Sequence, residues 1–456
     1  MSEKSNKIDS AEKRVTPTES DLIQVQTDQS LDIDRKNRPN ELTCSIRVLD
    51  FVNMEIGEAG VHRLVENVAW VSPELFKRQE SLETNEIKAA IPIDKKFEES
   101  LVDATLNNSD FDMESLEGKD SKGKSKVKLE WADLEMLFLI NNKIEGKAIE
   151  HLSLKSTWAN LKVLSLSSNN VSDVGAEKLA GNTSWTHLET LELTSCNLKP
   201  TGVKILAANT TWTKLKELNL SQNEIGESGA QALAENHSWA NLEILQLSHA
   251  ELRDAGVAKL AANVTWKKLK CLNLHNNEIG DTGAKALATN KIWTELRILY
   301  LSKNKINNEG VVELAGDKVW KRLEELDLSE NEIGDEGIGK LASNTTWKKL
   351  EVLQLSGNKF DDKGIASLAA NKSWFNLGIL EIADIVINDE TILRLALNPS
   401  WPKLHTLEIL SGDHGKAVSA VLKLIAQRNV IRLKPGEQLA DFDERDTIPE
   451  EAEDDE

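Results

Sequence analysis

Eleven tryptophans recur at an interval of 27 residues along most of this chain. A fixed period of this length is typical of one supersecondary unit stacked many times, because such a unit cannot bury its apolar side alone. The chain is therefore predicted to form a solenoid in which neighbouring units share one continuous core. The tryptophans are Trp131, Trp158, Trp185, Trp212, Trp239, Trp266, Trp293, Trp320, Trp347, Trp374 and Trp401.

Each unit contains two different spacings of apolar residues. In the unit that begins at Trp266, Leu272 and Leu274 are two positions apart, which predicts a short strand with both leucines on one face. After Asn277 the apolar spacing becomes helical. An acidic residue 15 positions after the tryptophan is expected to cap this helix. Asn290 is expected to end the helix in the left-handed conformation.

Two columns of residues are expected to be structural. The tryptophan column does not change from unit to unit, whereas binding surfaces vary, so we expect a spine of buried indoles in the return loops. An Asn lies 11 positions after most of the tryptophans. Its amide both donates and accepts, so it can satisfy backbone groups of the turn and form a ladder through the array. Cys196 and Ala250 occupy this position in two units and should interrupt the ladder.

The combined pattern LxxLxLxxNxIxxxGxxxLA resembles the leucine-rich repeats of the ribonuclease-inhibitor-like subclass. The resemblance covers Trp131 to about Leu410. It implies an α/β solenoid shaped as a horseshoe, with parallel strands on the concave face and short helices on the convex face. The units of 27 residues that begin with Trp are also similar to those of repeat proteins from host-associated bacteria.

The rest of the sequence divides around this array. Its first residues are polar and poor in aromatics, which favours disorder. An amphipathic segment after the array is expected to cap the open end of the core. The predicted segments are a disordered N-terminal segment (1–40), a degenerate N-terminal repeat (41–70), an irregular insertion with a charged loop (71–130), the repeat array (131–410), a C-terminal cap (411–435) and an acidic disordered tail (436–456).

Composition limits the classes of partner. The net charge of −20 disfavours nucleic acid and anionic membranes, because both carry charge of the same sign. Three cysteines are too few for a disulfide framework, and no apolar segment is long enough to cross a membrane. We therefore expect a monomeric cytoplasmic protein that binds another protein. The cytoplasm could be that of a host cell, reached by a route that leaves no cleaved leader.

No catalytic, cofactor or metal site is expected. Residues 118–125 match the pattern of a phosphate-binding loop, but no apolar strand precedes them, and that loop depends on a strand and a helix around it. His249 and His275 lie in adjacent units, yet a third metal ligand is missing from the same face.

The outward positions of the strands vary within the fixed frame, which favours a binding surface there. Tyr300 is the only tyrosine of the chain and lies on this surface. Tyr often dominates binding energy, because it combines a large rigid area with a hydrogen-bonding tip. We expect units 266–330 to be the centre of contact, although ordinary exposed strand residues would look the same. The candidate partner-binding residues are Asn273, His275, Tyr300, Lys303, Glu325 and Asp327.

The leading functional hypothesis is a non-enzymatic protein–protein interaction scaffold that binds its partner on the concave face, as a bacterial effector does in a host cell. One alternative is a regulator of a small GTPase, of the GTPase-activating type, which also pairs about eleven such repeats with an acidic tail. Another is the ligand-sensing part of an innate-immune receptor, although the chain lacks a nucleotide-binding domain that such a receptor would switch.

Overall fold

The computed structural model describes residues 48–65 and 134–409, except 317, 386, 387 and 397. Within these residues, twelve parallel strands form one sheet in which every strand pairs with the next strand along the chain. A helix lies between consecutive strands. The predicted α/β solenoid is therefore confirmed. The predicted segments 1–40, 71–130, 411–435 and 436–456 lie outside the described residues.

The described elements are short and regular. The strands have three residues each: β1 Val48–Asp50, β2 Met136–Phe138, β3 Val163–Ser165, β4 Thr190–Glu192, β5 Glu217–Asn219, β6 Ile244–Gln246, β7 Cys271–Asn273, β8 Ile298–Tyr300, β9 Glu325–Asp327, β10 Val352–Gln354, β11 Ile379–Glu381 and β12 Thr406–Glu408. The helices are α1 Gly57–Val65, α2 Gly146–Ser153, α3 Ser172–Gly181, α4 Pro200–Ala207, α5 Gly226–Glu235, α6 Arg253–Ala261, α7 Asp281–Thr289, α8 Asn308–Gly316, α9 Asp335–Ala342, α10 Asp362–Ala369 and α11 Asp389–Ala396. In the described part of the chain, no helix has both the length and the apolar character needed to traverse a lipid bilayer.

The strands pair without a shift in register. Leu218 of β5 pairs with Leu245 of β6, which pairs in turn with Leu272 of β7. The central leucine of each of these strands is buried, and the residues on either side of it are half-exposed. This alternation places one face of the sheet against the core and leaves the other face open. Val48 of β1 pairs with Met136 of β2 in the same way, although the intervening chain is much longer than one unit.

The tryptophans form the predicted buried spine. From Trp158 to Trp374 each one is at most 1% exposed, and Trp401 is 3% exposed. The rings of Trp374 and Trp401 are stacked, with centroids 6.4 Å apart. Trp131 lies outside the described residues.

The predicted ladder of asparagines is present in the turns after the strands. Asn304 Oδ1 accepts hydrogen bonds from the backbone N–H groups of Asn277 at 2.9 Å and Ile279 at 3.0 Å. Its Nδ2 donates to the carbonyls of Leu274 at 3.0 Å and Leu301 at 2.9 Å. Each amide of this kind therefore satisfies the turn of the preceding unit as well as its own.

The two interruptions of the ladder differ in consequence. The Cys196 thiol donates to the Leu166 carbonyl at 3.2 Å, which takes over one bond of the missing amide. The methyl group of Ala250 can make no such bond. The Ile225 N–H of the preceding unit donates instead to backbone carbonyls, that of Asn223 at 3.1 Å and that of Ala250 at 3.2 Å.

The prediction for the asparagine that follows each helix is wrong. Asn290 has φ −65° and ψ 130°, which is extended backbone and not the left-handed conformation. Its Oδ1 accepts from the N–H of Ile292 at 2.9 Å and of Trp293 at 3.0 Å. Its Nδ2 donates to the Ala261 carbonyl of the preceding unit at 2.8 Å. The residue is asparagine because its amide holds the return loop that carries the tryptophan.

The prediction for the acidic residue at the start of each helix is wrong about which helix it caps. Asp281 lies in the first turn of α7, yet α7 is capped by the preceding unit, because Asp254 Oδ1 accepts from the N–H of Gly280 at 2.7 Å and of Gly283 at 2.9 Å. Its Oδ1 accepts from the N–H of Asn307 at 2.9 Å and of Gly310 at 2.8 Å, at the start of α8. A Cβ on Gly310 would lie 2.5 Å from this oxygen. The glycine thus permits the carboxylate of one unit to cap the helix of the next.

Candidate functional site

The open sheet face consists of the side chains of the first and third residues of strands β2 to β12. These side chains point away from the core, because the central leucine between them is buried. All of them are half-exposed except Ser165, which is buried. Since neighbouring strands lie about 4.8 Å apart, this face is about 50 Å long.

Every charged residue on the open sheet face is acidic. No Lys, Arg or His occurs at these positions of β2 to β12, although the chain contains 55 lysines and arginines. The acidic residues fall on β4 and β5 and again on β9, β11 and β12. They are Glu192, Glu217, Glu325, Asp327, Glu381 and Glu408.

Basic side chains occur immediately before the strands, where they pair with acidic side chains of adjacent units. Lys162 Nζ lies 2.8 Å from a carboxylate oxygen of Glu135, and Arg297 Nη1 lies 3.2 Å from one of Glu324. Lys216 pairs in the same way with Glu189 at 2.7 Å. These cations pair with acidic residues that also lie one residue before a strand, at the edge of the open sheet face.

Tyr300 lies on β8 next to two acidic residues of β9. Its backbone pairs with that of Asp327, and its hydroxyl lies beside the Glu325 carboxylate. Burial raises the pKa of the Tyr300 hydroxyl, and the negative charge of Glu325 raises it further. Burial also raises the pKa of Glu325, as do the charges of Asp327 and Glu381, whereas the adjacent Tyr300 hydroxyl lowers it. The structure thus brings Tyr300, Glu325 and Asp327 together.

Asn273 and His275 form a second, polar group beside Tyr300. Asn273 Oδ1 accepts from the His275 N–H at 3.0 Å, and the His275 ring bonds to Ser302 Oγ at 2.8 Å. Burial lowers the pKa of His275, and the neighbouring His249, with its ring centroid 5.2 Å away, lowers it further. Among residues 48–65 and the described part of 134–409, no three His, Cys, Asp or Glu side chains are arranged to hold a metal ion.

Lys303 does not lie on the open sheet face. It occupies the turn after β8 with φ +54°, and its Nζ is 3.5 Å from a carboxylate oxygen of Glu330. The positive charge of Lys303 is therefore paired with the negative charge of Glu330 in the next unit. Of the six candidate residues, His275 and Lys303 lie after their strands and therefore at the margin of the open sheet face.

Glu381 and Glu408 extend the acidic surface beyond the residues predicted from the sequence. Glu381 Oε2 accepts a hydrogen bond from Gln354 Nε2 at 2.8 Å, and Glu408 pairs with Glu381 in the sheet. The sequence alone could have identified both residues, because each is the third residue of its strand, as Tyr300 and Asp327 are. The charge becomes evident when this position is compared along the whole array.

Comparison with known proteins identifies the repeats. A family model described as "Leucine Rich repeat" matches eight segments, 159–180, 186–207, 213–234, 240–261, 267–288, 294–315, 323–342 and 348–369. No curated protein matches the chain.

Several solved structures match this chain at low sequence identity. A leucine-rich repeat protein of Leptospira interrogans is 24% identical over 67% of this chain and 74% of its own, with a TM-score of 0.42. An internalin of Listeria monocytogenes is 20% identical over 62% of this chain and 82% of its own, with a TM-score of 0.37. The Rad7 and Elc1 complex of yeast contains a chain that is 17% identical over 62% of this chain and 77% of its own, with a TM-score of 0.40.

The matched segments coincide with the strand and helix units of the sheet. The ribonuclease-inhibitor-like subclass and the similarity to repeat proteins of host-associated bacteria stay predictions. The eight matched repeats and the parallel sheet make the described part of this chain a leucine-rich repeat solenoid.

Proposed function

We propose that this chain is a non-enzymatic scaffold that binds a protein partner on the open sheet face, with Tyr300 near the centre of contact. The observation that carries the proposal is the contrast between the two faces of the sheet. The core-facing centre of every strand from β2 to β12 is leucine, whereas the outward positions hold aliphatic, aromatic, polar and acidic residues. Outward positions that vary beside core positions that stay the same are typical of a surface adapted to one partner.

The size of the open sheet face supports a protein partner. A face about 50 Å long exceeds what a small ligand needs and is sufficient for a standard protein interface, which takes about 800 Å² from each partner. Leucine-rich repeats are in general protein-binding scaffolds, which agrees with this size.

Tyr300 has the properties of an anchor residue. Its hydroxyl lies beside the Glu325 carboxylate, and a tyrosine side chain has only two torsions to fix when a partner binds. It remains half-exposed between Asn273 and Asp327, its neighbours in the sheet. A rigid aromatic ring with polar neighbours is the common composition of a binding hot spot.

The titration properties of the described thiols support a non-enzymatic role. Burial raises the pKa of Cys196 to about 12 and that of Cys271 to about 11. Both thiols therefore stay protonated near neutral pH, and a protonated thiol is a poor nucleophile.

The proposed cellular setting is a cytoplasm. The Trp-bearing units resemble those of repeat proteins from host-associated bacteria, so the cytoplasm of a host cell is the first setting to test for an effector. The partner is accordingly sought both in host-cell and in bacterial lysates.

A capture experiment with a matched control tests the proposal. The full chain is immobilised as wild type, as Tyr300→Ala with Asp327→Lys, and as Phe375→Ala with Glu336→Lys. The second pair removes an exposed aromatic residue and reverses an exposed acidic residue away from the open sheet face. We expect the first variant to lose a partner that the wild type and the second variant retain. If the first variant captures every interactor at wild-type strength, the assignment of the binding surface fails.

Regulation of a small GTPase stays an alternative prediction. An assay of stimulated GTP hydrolysis separates it from the scaffold. Saturable stimulation by this chain would contradict the proposed function.

A further inference from the structure

The return loops contain the sequence motif of N-glycosylation many times. The motif is Asn-x-Ser/Thr, in which an oligosaccharide is attached to the side-chain nitrogen of the asparagine. In six units the buried asparagine three residues before the tryptophan is followed by Ser or Thr two positions later. These asparagines are Asn182, Asn209, Asn236, Asn263, Asn344 and Asn371.

The folded chain leaves no room for an oligosaccharide at these asparagines. Each of them is between 3% and 6% exposed. The Nδ2 atoms, to which the sugar would be attached, donate to carbonyls of the preceding unit. Asn236 Nδ2 lies 2.6 Å from the Ala207 carbonyl, and Asn263 Nδ2 lies 2.7 Å from that of Ala234. The corresponding bonds in the other four units are 2.6–2.9 Å long.

The oxygen of the same amide holds the loop that carries the tryptophan. Asn236 Oδ1 accepts from the N–H of Ser238 at 2.8 Å and of Trp239 at 3.1 Å. The amide is thus enclosed, with its nitrogen against the preceding unit and its oxygen against its own return loop. A sugar on Nδ2 would have to occupy the contact with the preceding unit, so the two units could not stack.

Glycosylation would act before this packing is complete. The oligosaccharide comes from a lipid pyrophosphate donor: a bond forms between Nδ2 and the first carbon of the sugar, the bond from that carbon to the pyrophosphate oxygen breaks, and one amide proton is released. The asparagine must be accessible to the transferring enzyme, which is the case only in the unfolded chain. Each transfer would block one interface of a solenoid in which every unit is stabilised by its neighbours.

We infer that N-glycosylation and folding exclude each other at these six asparagines, and that the chain acquires its fold in a compartment without N-glycosylation. The number of motifs supports the inference, because a chain that folded under glycosylation would be damaged at any one of them. In a host cell, the inference favours the cytoplasm and excludes passage through the lumen of the endoplasmic reticulum. It rests on the proposed cytoplasmic setting, which it makes specific, and does not depend on which partner is bound.

Expression of the full chain in cultured mammalian cells tests the inference. Each variant is produced with a cleavable signal sequence, which directs it to the endoplasmic reticulum, and without one, which leaves it in the cytosol. Three motifs outside the return loops, at Asn107, Asn170 and Asn219, are kept in every variant, and Asn170 is exposed. The loop variant keeps the six asparagines and removes their motifs by Ser184→Ala, Thr211→Ala, Ser238→Ala, Thr265→Ala, Thr346→Ala and Ser373→Ala.

Asn290 provides a matched control, because its buried amide makes the same contacts without a glycosylation motif. Its Nδ2 bonds to the Ala261 carbonyl at 2.8 Å, and the residue two positions later is Ile292. Adding Ile292→Thr to the loop variant creates one motif at a buried asparagine, whereas adding Ile292→Val creates none. Other units carry Thr265 and Val319 at this position, so the return loop accepts both side chains.

We expect the secreted yield of the wild type to be at least about tenfold below that of the loop variant, because its glycosylated chains cannot stack their units. In the loop variant, Ile292→Thr should lower the secreted yield again, and Ile292→Val should not. All four chains should be soluble in the cytosol and unfold cooperatively, which shows that the substitutions preserve the fold. Digestion with a peptide N-glycosidase, followed by electrophoresis, counts the glycans on each chain.

Four outcomes would overturn the inference. Secreted wild type that is folded and carries glycans in the return loops would show that the fold accepts them. Secreted wild type without these glycans would show that folding is faster than glycan transfer. Poor secretion of a loop variant that folds in the cytosol would place the obstacle outside the return loops. Equal secreted yields of the two Ile292 variants would mean that a glycan at a buried asparagine has no effect.

The capture experiment separates this inference from the proposed binding surface. It uses chain that was not exposed to glycosylation, so a partner that requires Tyr300 supports the binding surface whatever the secretion experiment shows. Conversely, a difference in secretion between wild type and loop variant supports the inference even if the Tyr300 variant captures every partner.

Discussion

In the return loops, asparagine and tryptophan recur from unit to unit, as with Asn263 and Trp266 or Asn290 and Trp293. On the open sheet face of the same units, the outward residues change from Cys271 in β7 to Ile298 in β8. The difference follows from what each side chain contacts. A buried residue that bonds to a neighbouring unit is strongly constrained and is replaced in only a few units, as by Cys196 and Ala250, whereas a residue that faces solvent has no such constraint.

The two regions should therefore respond differently to the same substitution. In the return loops and turns, the asparagine side chains bond across units, and both they and the tryptophans are buried. On the open sheet face, the side chains other than Ser165 are half-exposed, and several accept from the backbone N–H two residues further along their own unit. Stability is expected to depend on the first region and binding on the second.

The largest difference in stability is expected between substitutions of two adjacent aromatic residues. Trp374 is fully buried, and Phe375 is 53% exposed. Trp374→Ala should lower the free energy of unfolding by about 3–5 kcal/mol, because it removes a buried indole and leaves a cavity. Phe375→Ala should cost less than about 0.5 kcal/mol. Urea denaturation followed by circular dichroism measures both, and similar losses in the two variants would break the comparison.

Two asparagines provide a contrast within one residue type. Asn304 is buried and bonds to Asn277, Ile279 and Leu274 of the preceding unit. Its replacement by Ala should cost about 1–3 kcal/mol, because buried backbone groups lose their partners. Asn273→Ala on the open sheet face should cost less than about 1 kcal/mol, since water can reach the freed group. The same measurement tests this difference. If Asn273→Ala lowered the free energy of unfolding as much as Asn304→Ala, the structural role assigned to the buried asparagine would be refuted.

The pH dependence of stability gives the smallest expected effect. The pKa of Asp362 is lowered, chiefly because its carboxylate accepts a hydrogen bond from the backbone N–H of Asn388 at the start of α11. Because the pKa of Asp362 is lower in the folded than in the unfolded chain, its carboxylate stabilises the fold. This stabilisation is fully present at pH values above the unfolded pKa, about 3.9. It is lost as the pH falls through the lower, folded value.

The variant Asp362→Asn isolates this contribution. Asn308 of α8 caps α9 through the same kind of contact without a charge, to Gly334 at 2.8 Å, so the amide should be tolerated. Between neutral pH and pH of about 2, the stability of this variant should fall less steeply than that of wild type. Unfolding curves at several pH values measure the difference, and identical slopes would show that Asp362 contributes no pH dependence.

Much of the fold could be predicted because the period repeats the same information many times. The burial of Trp266, the inward position of Leu272 and the amide ladder all follow from the pattern of a single unit. The errors have one cause. Asn290 and Asp281 were each interpreted within their own unit, whereas their side chains bond to neighbouring units. A pattern inside one unit does not show which unit a polar side chain reaches.

The candidate site was predictable in position but not in detail. The outward positions of Tyr300 and Asp327 follow from the alternation along a strand. The proximity of the Tyr300 hydroxyl to Glu325 depends on the stacking of two units, and the pairing of Lys303 with Glu330 depends on the path of the turn. Sequence alone does not supply either. Binding by these residues stays a prediction until it is measured.

Because the Asp281 carboxylate reaches α8 and the Asn304 amide reaches back to the turn of Asn277, a change of length inside a regular unit disturbs its neighbours as well. Extra residues are accommodated between β1 and β2, where the Asn142 amide still accepts from the Met54 N–H at 3.0 Å. Inserting or deleting one complete 27-residue module preserves every such reciprocal contact, whereas adding or removing a single residue breaks contacts on both sides. Evolution can therefore lengthen or shorten the recognition surface in steps of about 4.8 Å without redesigning its scaffold.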